Sequence, residues 1–496
     1  MSTFKQKSLF AALAGMGVLG IVDSAQAVHI NSDGLLGQAL IYPYYTARST
    51  ASGNAYVTAL SVVNTTASAK AVKVRFLEGK NSREVLDFNL FLSQYDVWTA
   101  GIVAAGAGAG LFTLDNSCTT PKVSNSSSSP TLFRNGAYAG IDLGGDSLDR
   151  TYEGYFELLE MGAIAGGSSL EAAVTHKTDL SAPNASKPSC TGLPVTAAFP
   201  TALVAPAGGL FGGASLINVN EGTDYTYDAV ALDGWSNQPN WSGPGDQNPT
   251  IVSASPAVSV VIDNTSLGGR AVVTNWGGSP RDAVSAIMMR SRVYNEYTVE
   301  PLIKAATDWV LTMPTKRFYI NNGSGNAPRL FQSNFNSTGS CDNINLTYYD
   351  REEQSPGAII DFSPTTPQSR SLCWEANVLT FSGNSGSATV SNVLQSKNVA
   401  NVGLNSTWIN GWADLSFPQD AGYVGSHTLA APLNATTIIQ INTGTVVPNQ
   451  TVTYFGLPLV GISVQSYSTT GLPGVNPNIL SNYGGNFMHK YLRDIR

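Results

Sequence analysis

Apolar and polar residues alternate along residues 56–103, where short turns rich in Asn, Gly, Ser and Asp separate four segments. In the second segment, Val72, Val74 and Phe76 alternate with Lys73 and Arg75. A period of two with one apolar face is typical of an antiparallel strand with one buried face, and hairpins of such strands build β-sandwiches. The pattern predicts four consecutive strands, over 56–63, 71–78, 84–92 and 97–103.

Strand-like segments continue to the end of the chain, and they include a hairpin over 210–219 and 224–232. The sequence therefore predicts an all-β protein of two or three antiparallel sandwich-like domains with long Gly/Ser/Asn-rich loops. The expected division is a signal peptide over 1–27, an N-terminal β-sandwich domain over 28–200, a second β-rich domain over 201–330 and a C-terminal β-rich domain over 331–496.

Several segments allow more than one interpretation. Residues 151–161 combine strand-like alternation with helix-favouring Glu and Leu, and we predict a strand. Residues 39–42 form a predicted strand that ends at Pro43, since proline cannot donate to a strand ladder. Further predictions are strands over 284–291 and 316–321, and a short helix within 293–307 that Pro301 interrupts.

Composition narrows the functional class. Charged residues make up only 12% of the chain, against about 25% in a typical soluble domain, so uncharged polar groups must cover much of the surface. This favours an extracellular β-protein over a cytosolic enzyme. The net charge of −7 provides no basic surface for nucleic acid.

The N-terminus has the three parts of a secretory signal peptide. Lys5 and Lys7 precede an apolar run from Leu9 to Val22, and Ala25-Gln26-Ala27 is a small-x-small cleavage site. The apolar run is shorter than the ~20 residues that span a bilayer. We expect cleavage after Ala27, no membrane span thereafter, and a location at the outer cell surface, outside the cell or in the periplasm.

Four cysteines remain for disulfide bonds: Cys118, Cys190, Cys341 and Cys373. An even number in an exported chain indicates disulfides, and three connectivities are open. Nearest neighbours are the natural pairing, Cys118 with Cys190 and Cys341 with Cys373. No C-x-x-C spacing occurs and the four histidines are scattered, so we predict no metal site and no cofactor.

Candidate catalytic residues are limited to carboxylate clusters, because no G-x-S-x-G, H-E-x-x-H, Walker or EF-hand pattern occurs in the mature chain. A glycosidase needs two carboxylates about 5–10 Å apart. We interpret the clusters as solvated groups on exposed faces and predict no catalytic residue, with a calcium site at 350–353 as an alternative to a charged turn. The clusters are Glu153, Glu157 and Glu160; Asp224, Asp228 and Asp233; and Asp350, Glu352 and Glu353.

Two tryptophans lie on a loop rich in Gly and Pro, over 234–249. Trp235 and Trp241, with Tyr225 and Tyr227 nearby, are candidates for an aromatic platform that stacks on sugar rings. Packing in the core is the favoured alternative for these side chains. Lys316-Arg317 is a weaker candidate for an anionic polymer, because neighbouring residues of a strand face opposite sides.

Four stretches resemble an uncharacterised group of exported proteins from Gram-negative bacteria that are loosely labelled cell-surface proteins. They are AKAVKVRFLEGKNSREVLDFNLFLSQYDVWTA (69–100), ATDWVLTMPTKRFY (306–319), YDREEQ (349–354) and NYGGNFMHKYLRD (482–494). The resemblance implies export and a surface or secreted location. It implies no activity and transfers no site residue.

These observations lead to an exported structural or adhesive protein that acts through its surface without catalysis. Its expected partners are a second copy of itself or cell-surface polysaccharide. The alternative is a secreted carbohydrate-active enzyme or a glycan-binding module. Residues 28–42 are expected to complete a sheet within their own chain, or else to join a neighbouring molecule by strand addition.

Overall fold

The structure is a computed structural model, and it describes residues 27–31, 35–176, 187–264, 268–323, 330–355, 370–383, 388–405, 407–418, 426–468 and 482–496. Strands dominate these residues, and the all-β prediction is confirmed. The two α-helices are short, α1 over Ser169–Val174 and α2 over Pro280–Met288. Three 3₁₀ helices cover Leu148–Tyr152, Pro301–Ile303 and Lys316–Phe318. The predicted signal sequence through residue 26 lies outside the described residues.

The described residues form 33 strands. The first fourteen are β1 His29–Ile30, β2 Ala39–Thr46, β3 Val57–Asn64, β4 Lys70–Glu78, β5 Glu84–Leu92, β6 Val97–Ala105, β7 Gly108–Phe112, β8 Cys118–Thr120, β9 Thr131–Leu132, β10 Glu153–Ile164, β11 Leu203–Val204, β12 Leu210–Asn218, β13 Thr223–Asp228 and β14 Val230–Asp233. The others are β15 Val258–Asp263, β16 Arg270–Asn275, β17 Met289–Arg290, β18 Arg292–Thr298, β19 Ala306–Thr312, β20 Asp342–Asp350, β21 Arg370–Leu372, β22 Ala376–Ser382, β23 Val399–Gly403, β24 Asn410–Ser416, β25 Thr428–Ala430, β26 Thr436–Gln440, β27 Val446–Gln450, β28 Thr453–Phe455, β29 Leu457–Pro458, β30 Val460–Ser468, β31 Asn482–Met488, β32 Lys490–Leu492 and β33 Asp494–Ile495.

Two sheets form a sandwich in the N-terminal part of the chain. Sheet A has eight strands, in the order β1-β14-β2-β10-β4-β5-β8 with β11 beside β10. Sheet B has six, in the order β13-β12-β3-β6-β7-β9. Apolar side chains from both sheets meet in one core, for example Val74 and Phe156 from sheet A with Leu60 and Leu216 from sheet B. The alternation along β3, β4 and β12 therefore places one face of each strand between the sheets.

The four strands of residues 56–103 exist as predicted, but only β4 and β5 form a hairpin. β3 pairs with β6 in sheet B, while β4 and β5 belong to sheet A. The segments 65–69 and 93–96 thus cross between the two sheets. Turn residues mark where a strand ends, but they do not determine which sheet the next strand joins.

Two further five-stranded sheets, sheet C (β23-β22-β19-β30-β31) and sheet D (β21-β20-β24-β18-β32), share a second apolar core. Trp309 and Phe381 of sheet C meet Tyr297 and Leu415 of sheet D there. The opposite face of sheet C packs on the first sandwich through Val310. The pairs are antiparallel except for the parallel pair β22–β23.

Three smaller sheets complete the fold. They are a four-stranded sheet β15-β16-β26-β27, a three-stranded sheet β25-β28-β33 and the pair β17–β29. The predicted domain boundaries at 200 and 330 stay a prediction, although sheets A and B each combine strands from before and after residue 200. Among the described residues, none of the helices is long and apolar enough to cross a membrane.

The prediction that Pro43 ends the second strand is wrong. β2 continues to Thr46, and its register against β10 shifts between Gly154 and Phe156, so Pro43 lies in a bulge. A bulge tolerates proline because the ladder is locally interrupted there. β2 also lies between β14 and β10 inside sheet A. Residues 39–41 therefore pair within their own chain on both sides, which agrees with completion of a sheet within the chain. β1, the other described strand of residues 28–42, pairs with β14 and is the edge strand of sheet A.

Three other local predictions are wrong in whole or in part. Residues 284–291 lie mainly in helix α2, whose first turn contains Pro280 and whose apolar residues are buried. A short apolar run does not distinguish a helix from a strand, and proline in the first turn was the informative signal. The segment 293–307 holds strand β18, and its short helix is the 3₁₀ helix Pro301–Ile303, which begins at Pro301 instead of being interrupted by it. Residues 316–318 form a 3₁₀ turn instead of a strand.

Candidate functional site: a groove on the outer face of the six-stranded sheet

The outer face of sheet B carries an open groove of about 600 Å³. Its floor consists of the outward-facing positions of three neighbouring strands, β12, β3 and β6. In one row across these strands, Gly213 pairs with Ser61 and Ser61 pairs with Thr99. In the next row, Ser215 pairs with Ala59 and Ala59 with Gly101. These side chains are small or absent, so the floor leaves room for a ligand to approach the strands.

Aromatic and aliphatic side chains border this floor. The ring of Phe112 lies over Gly101, its register partner, and a β-carbon on that glycine would stand 2.6 Å from Cε1 of the ring. Glycine at this position therefore lets the ring lie against the sheet. Leu114 and Phe211 line the groove and are exposed, at 76% and 39%. Apolar surface of this kind outside a core is suited to ligand contact.

Polar groups come from strand β13, the edge strand of sheet B. Asp224, Thr226 and Asp228 are exposed, while the alternate residues Tyr225 and Tyr227 point into the core. Thr226 Oγ1 lies 2.6 Å from Ser215 Oγ across the β12–β13 pair. Among the described lining residues, Asp228 is the only carboxylate. The groove thus combines apolar ring faces with hydroxyl groups and a single acid.

The predicted carboxylate cluster of β10 is not solvated, and that interpretation is wrong. Glu153, Glu157 and Glu160 are each at most 1% exposed. Glu157 accepts from Arg75 Nη1 at 2.9 Å, and Glu160 accepts from Lys70 Nζ at 2.9 Å. Burial raises the pKa of Glu157, and Arg75 opposes that rise. These acids are neutralised inside the protein and have no access to substrate.

Glu153 has its own set of buried partners. Arg48 Nε donates to its Oε1 at 2.8 Å, and the Tyr44 hydroxyl donates to its Oε2 at 2.8 Å. Sheet A is covered on its second face as well, so Lys73 is buried and pairs with Asp87. The alternation of β4 correctly separates two faces, but both faces are interior.

The remaining acidic clusters lie on strands β13 and β14 and at the turn that ends β20. Asp224 and Asp228 share one face of β13 four residues apart, a spacing of about 13 Å along a strand. Asp350 Oδ1 accepts from the backbone N–H groups of Glu352 and Gln354, which closes a turn. No group of three metal-ligating side chains occurs in the described part of the chain. Arg351 Nε lies 4.0 Å from Glu352 Oε1, and this local pair agrees with the charged-turn interpretation of residues 350–353.

The two candidate tryptophans do not form a platform. Trp235 is fully buried, and its Nε1 donates to Ile251 O at 2.8 Å. Trp241 is half-buried against Phe91, with ring centroids 6.4 Å apart, and donates to Thr196 O. Both side chains hold loops in place, in agreement with the favoured packing alternative.

The Lys316-Arg317 pair is also turned inward. Lys316 is buried and donates to Asp342 Oδ2 at 2.8 Å, while Arg317 Nη1 donates to Ser82 O at 2.9 Å. Lys316 is therefore not free to bind a polymer, while Arg317 is half-buried.

The cysteines pair as nearest neighbours, Cys118 with Cys190 and Cys341 with Cys373. Both bonds join loops or short strands across long sequence separations of 72 and 32 residues. This is one of the three connectivities that the sequence left open.

The groove itself was missed at the sequence level, because its floor consists of Gly, Ala, Ser and Thr. Such residues carry no catalytic signature and look like strand filler. One signal was available: the T-D-Y-T-Y-D alternation of β13 places acids and a hydroxyl on one exposed face. Comparison of the chain with family models, with curated proteins and with solved structures finds no match.

Proposed function

We propose that this protein is an exported binding protein that attaches to carbohydrate through the groove of sheet B, without catalysis. The observation that carries the proposal is the groove itself, in which two aromatic side chains, one exposed and one half-buried, and hydroxyl groups surround a floor of small residues. This function specifies the adhesive role expected from the sequence by naming a ligand class.

The chemistry of the groove suits a sugar chain. The C–H faces of a pyranose ring pack on aromatic faces, and Phe112 and Phe211 present such surfaces at its border. Sugar hydroxyls need both donors and acceptors, which Ser61, Thr99 and Asp228 supply. Wide, open grooves with few charges fit a neutral polymer better than a compact anion.

At this groove, the acids favour binding over glycoside hydrolysis. A glycosidase requires two carboxylates that flank the scissile bond. The described groove residues offer Asp228 alone. Export is supported by the predicted signal peptide and by two disulfide bonds, which persist in oxidising compartments.

Affinity gel electrophoresis tests the proposal. The purified protein is run through gels that contain dextran, amylose, xylan, mannan or laminarin. We expect at least one polysaccharide to retard it, and Phe112→Ala to weaken that retardation by about tenfold, which corresponds to about 1.4 kcal/mol of lost ring contact.

Leu433→Ala is the matched control, because Leu433 is 80% exposed and lies outside the groove. Equal retardation of Phe112→Ala and Leu433→Ala would place binding elsewhere on the surface. Release of reducing ends from any of the five polysaccharides would replace the proposal with the carbohydrate-active enzyme.

A further inference from the structure

A second cavity, of about 260 Å³, lies between strand β1 with the residues that follow it and the C-terminal strands. Its walls are mostly apolar, and they come from β1, β14, β18, β30 and β31 with the residues that flank them. The apolar residues include Ile30, Leu35, Val230, Val293, Leu459 and Met488. The cavity therefore joins parts of the chain that are distant in sequence.

One cation interrupts this apolar lining. Arg290 lines the cavity and is 5% exposed. Its Nη1 donates to the backbone carbonyls of Ile287 and Met289, at 3.1 and 3.0 Å, and its guanidinium lies 3.7 Å from the centroid of the Tyr491 ring. Within the described part of the chain, no carboxylate forms an ion pair with it. A buried cation without an acid is costly, and its guanidinium has donors beyond Nη1.

Neighbouring charges do not neutralise Arg290. Arg493 Nη2 donates to the same carbonyl, Ile287 O, at 2.9 Å, so two guanidinium groups meet at one helix end. The C-terminus of α2 contributes only about half a negative charge against these two cations. Burial and Arg493 lower the pKa of Arg290 to about 9, which still leaves it charged at neutral pH.

Three other titratable groups line the cavity, and Tyr491 is the one beside Arg290, which lowers the pKa of the Tyr491 hydroxyl. His489 is held neutral because burial lowers its pKa to about 4, although the hydrogen bond of its Nε2 with Val310 O, at 3.0 Å, opposes that shift. Asp228 lines the cavity as well, but its side chain is exposed and also lines the groove. The interior of the cavity thus has net positive charge beside an apolar wall.

We propose that this cavity binds a small amphipathic anion, with the anionic head against Arg290 and a short apolar chain along the wall. Since a cavity of 150 Å³ accommodates the six carbons of benzene, 260 Å³ accommodates roughly ten non-hydrogen atoms. A charge-assisted hydrogen bond from Arg290 would select the head group. The inference stands apart from the carbohydrate groove and does not depend on it.

Isothermal titration of the purified protein with octanoate, 1-octanol and acetate tests this site. Octanoate has both head and chain, octanol lacks the charge and acetate lacks the chain. We expect octanoate to bind about tenfold or more tightly than either of the others. Equal binding of octanoate and octanol would overturn the proposed recognition of the anionic head and would show that the cavity binds apolar chains without selecting their charge. Equal binding of octanoate and acetate would show an adventitious anion only, and no binding of octanoate would overturn the site.

Arg290→Gln assigns the head-group contact. We expect this substitution to weaken the binding of octanoate by about tenfold and to leave the binding of octanol unchanged. Arg292→Gln is the matched control, because Arg292 pairs with Asp414 outside the cavity. An Arg290→Gln variant that binds octanoate as tightly as the wild type would overturn the proposal. If Arg290→Gln does not fold, the wild-type comparison of octanoate with octanol decides alone.

Discussion

Replacing Lys70 by methionine should destabilise the fold far more than loss of a surface ion pair would. Lys70 and Glu160 are both 0% exposed, and their charged atoms lie 2.9 Å apart. The Glu160 carboxylate also accepts from the backbone N–H groups of Ala207 and Gly208, each at 2.8 Å. Methionine keeps the volume of the lysine stem but leaves a buried carboxylate without its cation.

The expected magnitude follows from these contacts. Removing one partner of a buried ion pair lowers the free energy of unfolding by about 3–5 kcal/mol. We expect about 3 kcal/mol at pH 7 for Lys70→Met, the lower end, because the two backbone donors still solvate Glu160. The control is Lys397→Met, since Lys397 pairs with Asp149 at 2.8 Å but is 53% exposed. That change should cost less than about 0.5 kcal/mol.

The loss in the free energy of unfolding that Lys70→Met causes should also depend on pH. Burial raises the pKa of Glu160 and Lys70 opposes that rise, so the variant should have a still higher Glu160 pKa. When the pKa of an acid is raised in the folded state, the protein loses stability as pH increases above the pKa of that acid in the unfolded state, about 4.3 for Glu. The deficit should therefore be small at pH 4 and large at pH 7.

Urea unfolding followed by tryptophan fluorescence at pH 4 and pH 7 measures these differences. The double variant Lys70→Met/Glu160→Gln should recover only part of the loss at pH 7. It removes the buried charge, but the two backbone N–H groups donate to different carboxylate oxygens, and the single amide oxygen of Gln can accept from only one of them. The reasoning fails if Lys70→Met and Lys397→Met lose the same free energy of unfolding, or if the deficit of Lys70→Met does not change between the two pH values.

Three further changes test other parts of the fold by the same unfolding measurement. Burial raises the pKa of Glu375 to about 8, so wild-type stability should fall as pH rises from about 4.5 to 8. Glu375→Gln should remove up to about 4 kcal/mol of that fall. Stability profiles of the wild type and the variant that run parallel over this pH range would refute the prediction. Replacing both Cys341 and Cys373 by serine should cost about 4 kcal/mol from the lost 32-residue loop closure; an unchanged urea midpoint would contradict the estimate. Trp235→Ala should lower the free energy of unfolding by about 3–5 kcal/mol, while the folded fraction should still be retarded by polysaccharide. Loss of retardation without loss of stability would instead indicate that Trp235 is a binding residue.

Strand positions could be predicted because their signal is local. β4 and β5 follow the alternation of apolar and polar residues almost to the residue, and β10 was correctly assigned against its helix-favouring composition. Where tertiary context decided the outcome, the local signal failed. Pro43 is tolerated because β10 shifts register opposite it, and that shift is invisible in residues 39–46 alone.

The charged positions illustrate a second limit. Lys73 and Glu157 lie on strands whose polar face normally contacts water, yet both side chains are buried. Their partners, Asp87 and Arg75, lie at cross-strand positions that depend on the register of β4 with β5 and β10. The groove depends on register as well, because Gly101 and Phe112 become neighbours only when β6 pairs with β7. A single sequence does not encode these pairings in any local pattern.

The most direct test of the carbohydrate groove is protection of a thiol placed on its floor. Both disulfides engage the four native cysteines, so Thr99→Cys supplies a unique thiol at an exposed position of the groove. Its rate of reaction with a maleimide is measured with and without dextran, amylose, xylan, mannan and laminarin, beside Leu433→Cys as the control. We predict that a polysaccharide which retards the wild-type protein slows labelling of Thr99→Cys and leaves labelling of Leu433→Cys unchanged. Identical labelling rates of Thr99→Cys with and without every polysaccharide would contradict the groove as the binding site.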